Sequence, residues 1–217
     1  MFQTDPFSLI VLLVGLSILP FLAMIATSYL KIVVVISLIR NALGIQSIPP
    51  NMVVNALAMI LTFYIMAPTC SESWQVAKAE LAGKPAAVHE TDAVAKAAEP
   101  FRDFLERQTG DRERAFFVST AEKLWAKGDE PAKVDPKSFA VLIPSFCVSE
   151  LTKAFQIGFL VYLPFIAIDI IVSNILLAMG MMMVSPVTIS LPFKLLLFVM
   201  VNGWTLLIQG LVRGYIA

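Results

Sequence analysis

Three consecutive methionines, Met181, Met182 and Met183, stand out in a chain with little else equipped for chemistry. With Met179 they put four of the ten methionines within five positions of the stretch Asn174–Pro186, after an apolar run and before Ser185-Pro186. Methionine is unbranched and polarizable, so a cluster of it closes tightly and repacks around whatever touches it. That suits a gate or an adaptable contact surface; it also suits plain apolar filling near the end of a membrane helix. Asp169 and Asn174 are polar groups inside the same apolar run. Such groups are costly in lipid and turn to protein or water, which makes both functional candidates. The single histidine, His89, lies in a polar linker with no cysteine or second histidine nearby, so it offers neither a metal site nor a catalytic pairing. No zinc, phosphate-loop, dinucleotide or Ser/His/Asp signature occurs. The expectation is a protein that is not an enzyme, with no cofactor and no metal.

The elements that must hold these residues follow from the distribution of charge. Hydrophobic residues are 58% of the 217 and mean hydropathy is +0.81, whereas ordinary globular chains are about 45–50% apolar. Zero formal net charge argues against a nucleic-acid binder, which carries a basic patch. Between Glu72 and Lys137 lie 11 of the 16 basic and 13 of the 16 acidic residues. The chain therefore divides into an N-terminal apolar block (1–71), a soluble helical insert (72–138) and a C-terminal apolar block (139–217).

In the first block, Ser8 to Leu30 is free of charge and longer than the roughly 20 residues that cross a bilayer core. Asp5 precedes it where a removable signal peptide has a basic segment, so it reads as a retained span. Pro20 lies in its middle as a candidate kink. Apolar character continues past Lys31 to Ile39, Arg40 ends it, and Asn41–Pro50 reads as a turn. A second charge-free run, Asn51 to Ser71, is closed by Pro68 and completes a helical hairpin. The Lys84-Pro85-Ala86-Ala87 stretch of the insert reads as flexible. Phe101, Phe104, Leu105 and Gln108 follow Pro100 at amphipathic spacing. Gly110 ends that helix, Asp111 caps another carrying Phe117, Ala121, Leu124 and Trp125 on one face, and Gly128 stops it. Asp135-Pro136 opens a segment running to Pro144. A third apolar run, about Ala154 to Val184, is broken by Pro164 and Asp169, and a fourth runs from Leu195 to Val212. The fold expected is all-α and membrane-associated: two kinked apolar helical hairpins with a small soluble helical insert between them. Lys31, Arg40 and Lys194 in the short connections put those connections in the cytoplasm and the insert outside. There Cys70 and Cys147 either pair or stay free as small hydrophobes.

Pro144-Ser145-Phe146-Cys147-Val148-Ser149-Glu150-Leu151-Thr152-Lys153-Ala154-Phe155-Gln156-Ile157-Gly158-Phe159-Leu160 resembles the first signature of the FliP/SctR family, type III secretion export-apparatus proteins of the bacterial inner membrane. Pro192-Phe193-Lys194-Leu195-Leu196-Leu197-Phe198-Val199-Met200-Val201-Asn202-Gly203-Trp204 resembles the second, and the stretch from Thr27 to Pro68 is similar as well. The likeness covers about Ser17 to Pro68 and Phe139 to the C-terminus. Ser145 departs from the usual Ala. The lack of a cleavable signal peptide and Ser185-Pro186 in place of Pro-Pro resemble the virulence-type injectisome branch more than the flagellar one.

The resemblance implies the core pore-forming subunit of an export gate that passes unfolded proteins across the inner membrane as a multi-pass protein. Five copies would stack helically with one copy of a related subunit and four of a small hairpin subunit. Larger export-gate and switch proteins, unfolded secreted substrates and membrane lipid would be the other partners, with no nucleic acid. The assembled complex would be lifted toward the periplasm, its broken helices packed on neighbours. It also implies that Met181, Met182 and Met183 form a methionine gasket at the pore constriction. Glu150 and Lys194 are isolated opposite charges in the two signatures, each bordering an apolar run, so a bridge between them within or between subunits is expected. Asp169 has no obvious single partner. A small-ion channel or transporter subunit and a structural membrane scaffold are the alternatives in other classes, and neither explains the two signatures.

Overall fold

The structure is a computed structural model describing residues 6–45, 48–82, 90–126 and 132–216. Its helices are α1 (Pro6–Ile25), α2 (Tyr29–Ala42), α3 (Asn51–Ala82), α4 (Glu90–Ala97), α5 (Glu99–Gln108), α6 (Asp111–Leu124), α7 (Phe139–Ala178), α8 (Pro186–Met200) and α9 (Gly203–Arg213). No strand occurs among the described residues, and the architecture is all-helical and membrane-associated. By length and composition, α3 and α7 can each cross a membrane; α1 with α2, and α8 with α9, qualify as broken pairs, giving up to four crossings. His89, the 84–87 stretch and Gly128 lie outside the described residues.

The expected interruptions and the observed ones differ. Pro144, Pro164 and Asp169 all lie inside α7, which runs unbroken for 40 residues. Pro20 and Pro68 likewise sit within α1 and α3. A proline removes one backbone bond and crowds the preceding turn, but a membrane helix re-satisfies the freed carbonyl locally and continues. The break in the first block falls instead at residues 26–28. There the Thr27 hydroxyl donates to the Ala23 carbonyl at 2.5 Å and accepts the Tyr29 amide at 3.4 Å. The fourth run is two helices, because Asn202 takes a left-handed conformation (φ 51°, ψ 46°). α8 and α9 meet there at 60°.

The chain forms two compact units, residues 1–30 with 66–149 and residues 31–65 with 150–217. In the first, Phe104 and Leu105 of α5 are buried, and Phe104 lies 5.8 Å from Phe146 of α7, ring centre to ring centre. The Gly110 amide donates to Ser149 Oγ at 2.8 Å. Arg114 pairs with Glu106 at 3.3 Å and Asp111 at 2.9 Å, and Lys137 adds a second cation to Glu106 at 3.1 Å. Ser145 is fully buried and returns its hydroxyl to the Val141 carbonyl at 2.6 Å, so its polar group is satisfied within its own helix. Cys70 and Cys147 are free thiols.

In the second unit, Ile32, Val35, Ile36 and Ile39 are at most 1% exposed. Their i, i+3, i+4, i+7 spacing puts them on one face of α2. Gly158 lets α7 approach this helix closely: a Cβ added there would lie 3.2 Å from Leu38 Cβ. At the α8–α9 corner, Phe198 contacts Trp204 edge-on at 5.5 Å and Phe165 at 6.4 Å. A Cβ on Gly203 would reach within 2.8 Å of Phe198 Cγ, so the ring packs where that glycine leaves room.

Candidate functional site

The methionine loop is built by the end of α7 and the start of α8. Gly180 has φ +72°, a conformation open to glycine without a Cβ penalty. It ends α7 in a Schellman motif: the Met181 amide donates to the Leu176 carbonyl at 2.9 Å and the Gly180 amide to the Leu177 carbonyl at 3.0 Å. Ser185 is extended and Pro186 opens α8, where its missing N–H and fixed φ suit a first helical turn. The turn between is closed by the Met182 amide on the Gly180 carbonyl at 3.0 Å and the Val184 amide on the Met181 carbonyl at 3.3 Å. The backbone is held while the side chains are left uncovered. Met181, Met182 and Met183 are 41%, 80% and 99% exposed.

An ion pair ties the two arms of this hairpin together. Lys194 Nζ of α8 lies 2.6 Å from Asp169 Oδ2 of α7, and Ser190 Oγ donates to Asp169 Oδ1 at 2.6 Å. Lys194 also donates to the carbonyl of Ala42, the last residue of α2, at 3.1 Å, a cation at the negative end of a helix. Lys194 and Ser190 are buried; the Asp169 side chain is about one-third exposed.

A second charged cluster lies in the same unit. Glu150 of α7 is fully buried and Lys31 of α2 nearly so, with Nζ 3.1 Å from Glu150 Oε2. Lys153, one turn along α7, reaches Glu150 Oε1 at 3.3 Å. The Tyr215 hydroxyl donates to Glu150, and its ring lies under the Lys31 ammonium, 3.5 Å from Nζ to ring centre. Burial first, and then the Glu150 charge, hold the Tyr215 phenol well above the ordinary tyrosine value, so it stays a donor.

Glu150 and Lys194, expected as a bridge, therefore do not pair within the chain: Lys31 and Asp169 take their places. Asp169 has the specific partner its sequence context hid. Asn174 is exposed on α7. Lys31 and Tyr215 are members of the buried clusters that sequence reasoning missed. Lys31 does carry a signal, as a lone cation between two apolar runs, but Tyr215 in the chain's last turn carries none. Among the described residues, no group of His, Cys, Asp and Glu is arranged to hold a metal ion.

The pattern of the FliP family matches residues 12–211. This chain belongs to the FliP family. It is 47% identical to the hypersensitivity response secretion protein HrcR of Ralstonia nicotianae, over 96% of each chain. It is 48% identical to the Yop proteins translocation protein R of Yersinia pestis, over 97% of each. To the flagellar biosynthetic protein FliP of Bacillus subtilis it is 41% identical, over 95% of this chain and 90% of that one. Identity is thus higher to these secretion and translocation proteins than to the flagellar one, as the Ser185-Pro186 junction leads one to expect. The geometry also explains several residues within the two stretches that resemble family signatures. Glu150 and Lys194 anchor the two buried clusters, Gly158 allows close approach to α2, and Asn202 and Gly203 make the α8–α9 corner.

Proposed function

We propose that this chain is a core pore-forming subunit of a type III secretion export gate, passing unfolded proteins across the bacterial inner membrane. Met181, Met182 and Met183 seal the pore when no substrate fills it. The observation that carries this reading is the loop itself: three adjacent methionines, increasingly exposed, project from a turn whose backbone is fixed by its own hydrogen bonds. Uncovered apolar side chains on a fixed turn call for a partner surface. Copies arranged about an axis supply one, and a ring of apolar side chains bars ions by excluding water. The same side chains deform around a passing polypeptide without reading its sequence.

In this proposal several copies, five by family resemblance, assemble with a related single-copy subunit, four copies of a small hairpin subunit, and larger export-gate and switch proteins. The short basic connections face the cytoplasm and the 72–138 insert faces the periplasm. Replacing Met181, Met182 and Met183 together by alanine tests the reading. The expected result is a membrane leaky to ions in cells that still assemble the apparatus. A tight membrane with normal assembly and secretion refutes the gasket role.

A further inference from the structure

We propose that Asp169 and Lys194 are positioning residues for the methionine loop, a charged brace that fixes how α7 and α8 sit against each other and so where the loop points. The inference rests on the gasket reading above and names what holds the gasket in place. Three observations lead to it.

The first is geometry. The carboxylate is engaged at both oxygens by α8, Lys194 at Oδ2 and Ser190 at Oδ1, both at 2.6 Å. A two-point grip from one helix onto a single side chain of another sets rotation as well as separation. The second is what lies between brace and loop. Toward the methionines the α7–α8 interface is an open groove of about 370 Å³, lined by apolar side chains that include Ile171, Ile175, Leu176, Ile189 and Phe193. Apolar contact is non-directional, and an unfilled groove leaves these side chains free to slide past one another, so the hairpin's register depends on the brace. The third is the Ala42 carbonyl, 3.1 Å from Lys194. It attaches the brace to the end of α2, whose buried face belongs to the core of this unit. Gly180 lies eleven residues beyond Asp169, about 16 Å at the helical rise, so a small rotation at the brace becomes a displacement of ångströms at the tip.

The test uses the full chain in cells that assemble the complete export apparatus. It compares Asp169→Asn, Lys194→Met, the two together, and Ser190→Ala. Three quantities are read for each: the amount of assembled complex, ion leak, and the distance between spin labels at Ile175→Cys and Val187→Cys in a chain with Cys70 and Cys147 replaced. Each single charge removal strands the other charge. The expected result is about tenfold more leak at unchanged assembly, with a broadened label distance. The double variant removes both charges and returns leak and distance most of the way to the parent, a rescue that simple loss of folding would not give. Ser190→Ala removes one arm of the grip and gives a smaller shift in the same direction.

Parent-like leak and distance in assembled single variants overturn the proposal, as does a double variant as leaky as the singles. If the single variants do not assemble, Ser190→Ala decides, and an unchanged label distance there overturns the brace. The triple methionine-to-alanine variant separates the two readings. Leak with an unchanged label distance supports both; absence of leak removes the gasket while the label distances still judge the brace.

Discussion

Glu150→Gln should be the most damaging single polar substitution in the chain, and its neighbours should rank below it in a set order. The carboxylate has no solvent contact and is met by Lys31, Lys153 and Tyr215. Removing its charge leaves the Lys31 ammonium buried with chiefly the Tyr215 ring to face. Breaking a buried pair from one side costs about 3–5 kcal/mol, and the cation–π contact with Tyr215, already present in the parent, offers the stranded ammonium nothing new. Lys31→Met is milder, about 3 kcal/mol, because Lys153 at 3.3 Å still meets the carboxylate. Tyr215→Phe keeps the ring and loses one hydrogen bond to a charged group, about 1.5–3 kcal/mol. Lys153→Met falls below about 1 kcal/mol, since that side chain is 38% exposed. Glu150→Gln combined with Lys31→Met should recover most of the loss, because no buried charge is then unpaired. Denaturant unfolding of the purified protein in detergent, followed by tryptophan fluorescence, measures the series. Glu150→Gln within about 0.5 kcal/mol of the parent, or a double variant equal to the sum of the singles, would refute the reasoning.

Three glycine and serine positions give further tests by the same assay. Gly180→Ala meets no atom within 4 Å of the new Cβ, so its penalty is conformational alone, about 1–2 kcal/mol from the left-handed backbone. Its visible effect should be a shifted methionine loop, seen as altered protease cleavage at 181–184. Gly203→Ala is limited by space instead. The new Cβ drives into the Phe198 ring, costing about 1–3 kcal/mol as overpacking and changing Trp204 fluorescence. Ser145→Ala should be nearly silent, within about 0.5 kcal/mol, because the hydroxyl only returns to the Val141 carbonyl of its own helix; a larger loss would mean that the hydroxyl has another task.

The sequence alone determined the class of the protein. Apolar runs announced an all-helical, membrane-associated protein, because spanning a bilayer demands long charge-poor stretches. The α5 and α6 boundaries were legible from Pro100 and Gly110, which act locally, but Asp111 opens α6 as its first residue rather than capping it: Gly110 is the N-cap and no side chain caps that end. The methionine loop was legible from composition, and its Ser185-Pro186 border from turn propensity. Tertiary structure decided the continuity of the helices and the pairing of the charges. Pro144 and Pro164 read as breaks only when helices are judged one at a time; α7 continues through both. Glu150 and Lys194 read as partners because each stands alone in its own stretch, but within the chain their partners come from elsewhere in the fold. Lys31 is 119 residues from Glu150 and Asp169 is 25 from Lys194, and no local periodicity connects such positions. Tyr215 is the clearest case: an unremarkable aromatic near the chain end becomes the floor beneath a buried cation only once α9 has turned away from α8 at Asn202. A buried charge must be neutralised by whatever the fold brings near it, so its partner is a property of packing rather than of sequence spacing.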